Sequence, residues 1–334
     1  METKLNIQNN KTILLTGGAG YIGTHTAREL AKAGYSIVII DNLATGKRSN
    51  LAENSVFIEG DFADIALLNK IFTEHKIDAV MHFAASIEVG ESVEKPLEYL
   101  ENNTFKTARL IKTMLENNVK KLIFSSTAAV YGLQKHMPIS ESATTAPIDP
   151  YGSSKLLTEQ LIDYYCRFAG LEAIIFRYFN ACGSDFDKTI YSTHESHLIP
   201  RVIDVAEGRR EHVEIYGTDY DTIDGSGVRD YVHVLDVARA HVAALEKNQS
   251  AKYRVGEETN AYEIYNIGTS TGLSVKNIID AVQDITGKQV PVRIKARRPG
   301  DSPITVADNT KIRTHLNFEL KHSDIETIIK TSWH

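Results

Sequence analysis

The chain has 334 residues, 42% of them hydrophobic and 24% charged. This is the composition of a globular protein long enough for one large α/β domain and a smaller second one. Its net charge of −6 and pI near 6.1 argue against a general affinity for nucleic acid or anionic membrane, so any phosphate it binds must be held by local groups.

The first ten residues, METKLNIQNN, read as a loose extension without the apolar core of a signal peptide. Short apolar, β-branched runs follow at 13–16, 36–40, 56–58, 79–83, 121–124 and 172–176, with helical patterns between several of them. Strands alternating with helices predict a doubly wound parallel sheet covered on both faces, the Rossmann arrangement of an α/β protein. The helix opened after Gly20 is expected to stop near Gly34. A further helix is read at 156–168, where residues 157, 161, 164, 165 and 168 form one apolar stripe. After Asn180 the pattern loosens. A polar loop is expected over 183–197 and a helix at 275–286, within a smaller C-terminal α/β lobe. The expected division is 11–180 for the parallel-sheet domain, with some later segments returning to it, and 181–334 mainly for a second domain. Cys166 and Cys182 form no C-x-x-C pair, so neither a disulfide framework nor a metal site is expected. No apolar run reaches the about 18 residues that span a bilayer, and a cytoplasmic chain is expected, without membrane or nucleic-acid partners.

Two motifs carry chemistry. The first strand runs into ILLTGGAGYIG, with glycines at 17, 18, 20 and 23. Glycine serves the tight turn, the close approach of backbone to a pyrophosphate, and close helix–strand packing, while the helix N-terminus offers N–H groups to phosphate. Asp41 ends the second strand. A carboxylate there accepts ribose hydroxyls and repels a 2′-phosphate, which favours NAD over NADP. The second motif is Tyr151-Gly-Ser-Ser-Lys155, which puts a phenol and an ammonium on one helix face. A cation and the positive end of a helix are expected to lower the phenol pKa towards neutrality, making Tyr151 a general acid and base. Tyr131 and Lys135 have the same spacing. Only Tyr151 follows an Asp149-Pro150 helix start, and Tyr131 is expected in a turn. Thr127, at the end of the strand at 121–124, offers a hydroxyl to the reacting oxygen.

With these motifs go DNL at 41–43, EGD ending at Asp61, HFAA at 82–85, VGES…KPLEY, FSSTAAVYG, RYFNACG, GVRDYVHVLD and RRPGDSP. From about Lys11 to the C-terminus the chain resembles the extended short-chain dehydrogenase/reductases, and within them the UDP-hexose 4-epimerases. The resemblance implies an isomerase with tightly bound NAD as cofactor and a UDP-hexose as substrate. Gly17, Gly20, Tyr21, Ile22 and Gly23 would cradle the pyrophosphate. Asp41 and Asn42 would hold the adenosine ribose, and Asp61 with Phe62 the adenine. Phe83, Ala84, Asn102 and Phe179 would line the dinucleotide. Thr127, Tyr151 and Lys155 would be catalytic, Tyr151 and Lys155 also touching the cofactor and Thr127 the substrate. Asn180, His197, Leu198, Tyr216, Arg229, Arg298 and Asp301 would bind the UDP portion. A homodimer packed through helices near 97–117 and 151–168 is implied as well.

Some positions depart from the family pattern. Ile87 stands where some members have lysine, His197 where several have asparagine, and Thr305 where some have a bulky tyrosine. The smaller Thr305 makes UDP-N-acetylhexosamines an alternative substrate class, beside UDP-uronates. Ala128-Ala129 after Thr127 argues against a 4,6-dehydratase, which places Asp-Glu there. The retained Tyr and Lys argue against a regulator without turnover.

Overall fold

The computed structural model describes residues 11–192, 197–247, 262–298 and 300–333, so the expected N-terminal extension lies outside the described residues. In chain order the first elements are β1 (Thr12–Thr16), α1 (Tyr21–Lys32), β2 (Ser36–Asp41), β3 (Val56–Glu59), α2 (Ile65–Glu74) and β4 (Ile77–His82). Next come α3 (Val89–Glu94), α4 (Pro96–Leu100), a π-helical turn (Glu101–Phe105), α5 (Lys106–Glu116), β5 (Lys121–Thr127), α6 (Pro150–Ala169) and β6 (Glu172–Tyr178). The rest of the chain adds β7 (Asn180–Cys182), α7 (Leu198–Ala206), β8 (Val213–Tyr216), β9 (Val228–His233), α8 (Val234–Glu246), β10 (Tyr262–Ile267) and β11 (Gly272–Ser274). It ends with α9 (Val275–Thr286), β12 (Val292–Lys295), β13 (Ile304–Thr305), α10 (Thr310–His315) and α11 (Ile325–Ser332).

Seven strands form the main sheet in the order β10-β6-β5-β4-β1-β2-β3. The pairs β1–β2, β1–β4, β2–β3 and β4–β5 are parallel. The order reverses at β1, as in doubly wound folds, whose ligands bind outside the carboxyl ends of the strands. With helices over both faces, the central strands need apolar residues on both sides. Ile13, Leu14 and Leu15 are fully buried, and so are Ile39 and Ile40. Leu14, Val38, Val80, Leu122 and Ile175 share one core cluster with Ile71 of α2, Leu110 of α5 and Ile162 of α6.

The strands follow the apolar runs with informative shifts. β4 starts at Ile77 and stops at His82, so Phe83 lies just past it, and β5 runs on to Thr127. Helix α6 is bounded as its sequence requires. Asp149 accepts the Gly152 N–H at 2.7 Å, Pro150 fills the first turn, and Gly170 ends the helix in the left-handed region at φ 73°.

The chain forms two units. The first comprises Met1–Thr127, Asp149–Phe176 and Ala238–Ile264, as far as these are described; the second comprises Ala128–Ile148, Arg177–Val237 and Tyr265–His334. The chain therefore passes between units several times, and no single boundary near residue 180 separates them. In the second unit α7, α9 and α11 share a core with β8, built from Ile199, Val202, Ile203, Ile278, Val282, Ile328 and Ile329 among others. A four-stranded sheet there joins β11, β9, β13 and β7, and β12 pairs with β8. The described part of 183–192 holds neither helix nor strand, and 193–196 lie outside the described residues. Among the described residues no helix is long and apolar enough to cross a membrane.

Candidate active site

In the first unit the site residues gather at the carboxyl ends of β1, β2, β4 and β5. The glycine loop after β1 is packed too tightly for side chains. Gly17 has φ +72°, and a Cβ there would lie 2.6 Å from the Ala84 nitrogen. A Cβ on Gly23 would lie 2.3 Å from the Gly17 carbonyl oxygen, whereas one on Gly20 would meet only that oxygen, at 3.3 Å. Gly17 and Gly23 thus serve the turn and the packing, and Gly20 stands on the more open side. No side chain caps the N-terminus of α1, which starts at Tyr21 and carries Ile22 and Gly23 in its first turn. That end of the helix suits a diphosphate.

Asp41 is buried and tied to this loop. Its Oδ2 accepts the Ala19 N–H at 3.0 Å and its Oδ1 the Leu43 N–H at 2.8 Å. A carboxylate oxygen has two lone pairs, so each retains acceptor capacity for a ribose hydroxyl. Asn42 accepts the Ala44 N–H at 3.1 Å. Asp61 accepts the Ala63 N–H at 2.9 Å and pairs with Lys106 at 2.5 Å; those hydrogen bonds and cations outweigh partial burial and hold its carboxyl below the usual range. The Phe62 ring is core, 4.9 Å from the His82 ring, which leaves the backbone of Phe62 for a ligand. Phe83 packs on His241 at 4.9 Å.

The π-helical turn sets two consecutive asparagines on one serine. Asn102 Nδ2 donates to Ser86 Oγ at 3.2 Å, while Asn103 accepts the Ser86 N–H and donates to the Ser86 carbonyl, both at 2.9 Å. Such turns often mark functional positions, because they re-aim neighbouring side chains.

Tyr151 and Lys155 lie on the first two turns of α6. Thr127 hydrogen-bonds the Tyr151 phenol. Lys155 is buried, donates to the Ser125 carbonyl at 2.8 Å and sits 4.9 Å from the centre of the Phe124 ring. The phenol pKa differs from the sequence expectation. Burial pushes Tyr151 up to about 12 and the Asp149 and Glu88 carboxylates act in the same direction; only the Thr127 hydrogen bond works against them. Desolvation outweighs the helix terminus in the protein alone. Burial likewise pulls Lys155 down to about 7, against the Glu159 carboxylate, which raises it.

His82 lies beneath this layer, between the rings of Phe62 and Phe124. Its Nδ1 contacts the Thr16 hydroxyl at 2.5 Å and its Nε2 the Thr107 hydroxyl at 2.8 Å. Thr107 already donates to the Asn103 carbonyl at 2.7 Å, so it accepts from Nε2, and Thr16 donates to Nδ1. Burial and the Lys155 charge pull this histidine down to about 3, so it is neutral. Sequence reading missed His82 and Asn103. The place of His82 inside the apolar run at 79–83 was the available signal for the first. Tyr131, the decoy, is part of a short 3-10 helix, fully buried, and donates to Asn266 at 2.7 Å, which makes it structural.

The second unit holds the remaining expected positions. Arg229 pairs with Asp301 at 2.6 Å and also donates to the Val228 carbonyl at 2.9 Å. The Arg298 guanidinium lies 3.7 Å from the Tyr216 ring centre, and the Tyr216 hydroxyl bonds Glu214. Phe179 is buried, with its N–H on the Ile267 carbonyl at 3.0 Å, and Asn180 donates to the Asp230 carbonyl at 3.1 Å. His197 is exposed at the N-cap of α7, and Leu198 is that helix's first residue. Thr305 pairs in register with Arg229. Thus the structure brings Arg229, Asp301 and Thr305 together and stacks Arg298 on Tyr216.

The chain is similar in sequence and fold to known proteins. Residues 13–268 match the family model described as the NAD dependent epimerase/dehydratase family. The UDP-glucose 4-epimerase of Halalkalibacterium halodurans is 45% identical over 323 residues, covering 96% of this chain and 94% of that protein. The crystal structure of the Brucella ovis UDP-glucose 4-epimerase in complex with NAD superposes with a TM-score of 0.90 at 42% identity, over 96% of this chain and 97% of that one. The Stenotrophomonas maltophila UDP-glucose-4-epimerase, with bound NAD and formylated UDP-arabinopyranose, gives 0.91 at 38% identity, over 97% of both chains. With the glycine cradle, Asp41 and the Tyr151–Lys155 helix in place, the chain belongs to the NAD-dependent epimerase/dehydratase family.

Proposed function

We propose that the chain interconverts UDP-glucose and UDP-galactose by inverting carbon 4 of the hexose. The observation that carries this reading is the group Thr127, Tyr151 and Lys155 at the end of β5, in the same unit as a glycine loop too tight for side chains. Tyr151 takes the proton from the 4-hydroxyl, with Thr127 in the hydrogen-bond path, and returns it to the opposite epimer. Lys155 supplies positive charge one helical turn away and holds the nicotinamide ribose. The chemistry that bound NAD supplies is a reversible hydride acceptor for carbon 4 and a positive ring near the phenol, so the sugar passes through a 4-ketose without net oxidation. Gly17, Gly20, Tyr21, Ile22 and Gly23 hold the pyrophosphate, Asp41 and Asn42 the adenosine ribose, and Asp61, Phe62, Phe83, Ala84, Asn102 and Phe179 the rest of the dinucleotide.

Asn180, His197, Leu198, Tyr216, Arg229, Arg298 and Asp301 anchor the UDP. A guanidinium matches a diphosphate with a fork of donors, and Arg229 has donors beyond those on Asp301 and Val228. The active form is a homodimer joined through the helices at 97–117 and 151–168, which are α4, the π-helical turn and α5 on one side and α6 on the other. Leu97, Tyr164 and Phe168 support it, being large apolar or aromatic side chains more than half exposed on those helices. The two buried free thiols fit a reducing cytoplasm. The half-buried Thr305, in register with Arg229, favours admission of a 2-N-acetyl sugar as well.

Purified protein given UDP-galactose without added NAD is expected to yield UDP-glucose by chromatography. Failure to form product even with NAD added would defeat the reading. Tyr151→Phe is expected to lose about 10²- to 10⁴-fold in kcat while retaining its cofactor. UDP-N-acetylglucosamine in the same assay tests the Thr305 reading; no turnover where UDP-galactose reacts well would remove it.

A further inference from the structure

Strand β3 ends at Glu59, beside β2 in the sheet, and the chain turns at Asp61 before entering α2. The Asp61 carboxylate is gripped from two directions. Its Oδ1 accepts the Ala63 N–H of its own turn at 2.9 Å, and its Oδ2 accepts from Lys106 Nζ at 2.5 Å. One bond alone would let the carboxylate pivot; the second fixes its plane. Each oxygen still has a lone pair for a further donor.

Lys106 is 45 residues away, at the start of α5, and the π-helical turn delivers it. Its N–H bonds the Glu101 carbonyl, five residues back. The extra residue in that turn rotates α5 by about 100° relative to α4. Asn102 and Asn103 then aim at Ser86 while Lys106 aims at Asp61. Stability does not account for the pair. Its side chains are 25% and 39% exposed, and ion pairs this open to water contribute little. Arg109, one turn on, also acts on Asp61, but its guanidinium pairs with Glu101 at 3.1 Å.

The chemistry of a fixed carboxylate indicates what the pair selects. An ionised carboxylate accepts hydrogen bonds and donates none. The 6-amino group of adenine is a donor. The 6-carbonyl of hypoxanthine is an acceptor and would meet the carboxylate oxygen against oxygen.

We propose that Lys106 is a positioning residue for the cofactor, which by fixing the Asp61 carboxylate makes the protein select a 6-aminopurine dinucleotide over a 6-oxopurine one. This rests on the reading in which Asp61 holds the adenine. Lys106 acts through Asp61.

The test is a competition. Full-length protein is incubated with NAD and nicotinamide hypoxanthine dinucleotide, both in excess, until exchange is complete. The nucleotide released on denaturation is then quantified by chromatography. The bound ratio reads selection of the base, because a loss of stability or of pyrophosphate binding weakens both nucleotides alike. Wild type should favour NAD by about 10- to 100-fold, and Asp61→Ala should abolish the preference. Lys106→Met, which keeps the length of the side chain without its donors, should lower the ratio by about fivefold or more. Lys106→Arg, which keeps a charged donor, should restore most of it. A Lys106→Met ratio equal to wild type would overturn the proposal while leaving Asp61 at the adenine. So would a higher ratio, since the ammonium would then be serving the hypoxanthine carbonyl itself. Should Lys106→Met not fold, Lys106→Leu is read in the same way. Wild-type protein that binds both nucleotides equally, as Asp61→Ala does, would remove the adenine reading and the proposal together.

Discussion

A phenol, an ammonium and an imidazole lie close together at this site, and burial changes the pKa of each. Tyr151 was legible because Asp149-Pro150 marks a helix start, and Lys155 followed from the spacing. The direction of the phenol pKa was not legible. The sequence places a cation and a helix terminus near Tyr151 but says nothing about how little water reaches its hydroxyl, and desolvation dominates. His82 gives a test in solution. Its pKa falls from 6.5 to about 3 on folding, so the unfolded chain binds its proton more readily. The stability it contributes is therefore complete above pH 6.5 and is lost as pH falls towards 3. His82→Asn should lose less stability than wild type between pH 7 and pH 4.5 in urea titrations, although at pH 7 it should be weaker by about 1–3 kcal/mol through the hydroxyls of Thr16 and Thr107 that lose their partner. Equal acid sensitivity of the two proteins would show that His82 does not carry this dependence.

Elements differ in how plainly their residues announce them. The glycine loop was legible because few backbones need glycine at four positions in seven. The structure divides the labour among them in a way the string of letters does not. Gly23→Ala forces a Cβ to 2.3 Å from a backbone oxygen that cannot swing aside, whereas Gly20→Ala brings one only to 3.3 Å. Gly23→Ala should therefore purify without NAD and melt well below wild type, by an amount equivalent to about 2–4 kcal/mol. Gly20→Ala should keep most of the stability and lose cofactor affinity. Nucleotide released on denaturation, together with thermal unfolding, separates the two. Similar melting of both variants would refute this division. The π-helical turn at Glu101–Phe105 was not legible, because no residue type is diagnostic of one extra residue in a helix, and so Asn103 went unnoticed beside Asn102. The burial of Glu159 was not legible for a related reason. On a helix facing both sheet and solvent, a lone glutamate is ordinarily a solvated residue, and only the fold shows it turned inward.

At the scale of the molecule the parallel sheet was legible from its strand–helix alternation, but its strand order was not. The partition into units was not, because periodicity describes segments and not which segments meet. The exposed side chains of α4 and α6 were read in part. The stripe in the second helix was visible, but its helical spacing alone did not decide between sheet and solvent. In the structure, Ile162 faces the core, while Tyr164 and Phe168 face outward. If they join two copies, Leu97→Asp combined with Phe168→Asp should convert a dimer of about twice 37.2 kDa to a monomer by light scattering. A wild-type protein that is already monomeric at micromolar concentration would refute the dimer.

The first unit takes its last pieces from 238–264, and this has a consequence for how the protein is made. Synthesis is vectorial, and a ribosome releases β1 to β6 long before α8 and β10. Until then the rings of Phe83 and Phe176 lack His241, which packs on both, and β6 is an open edge. A nascent chain that stalls before Ala238 therefore carries every glycine of the loop after β1 together with Thr127, Tyr151 and Lys155, yet lacks part of the unit that holds them. A fragment that ends before Ala238 is therefore expected to bind no NAD by itself, because the unit it would fold into is incomplete.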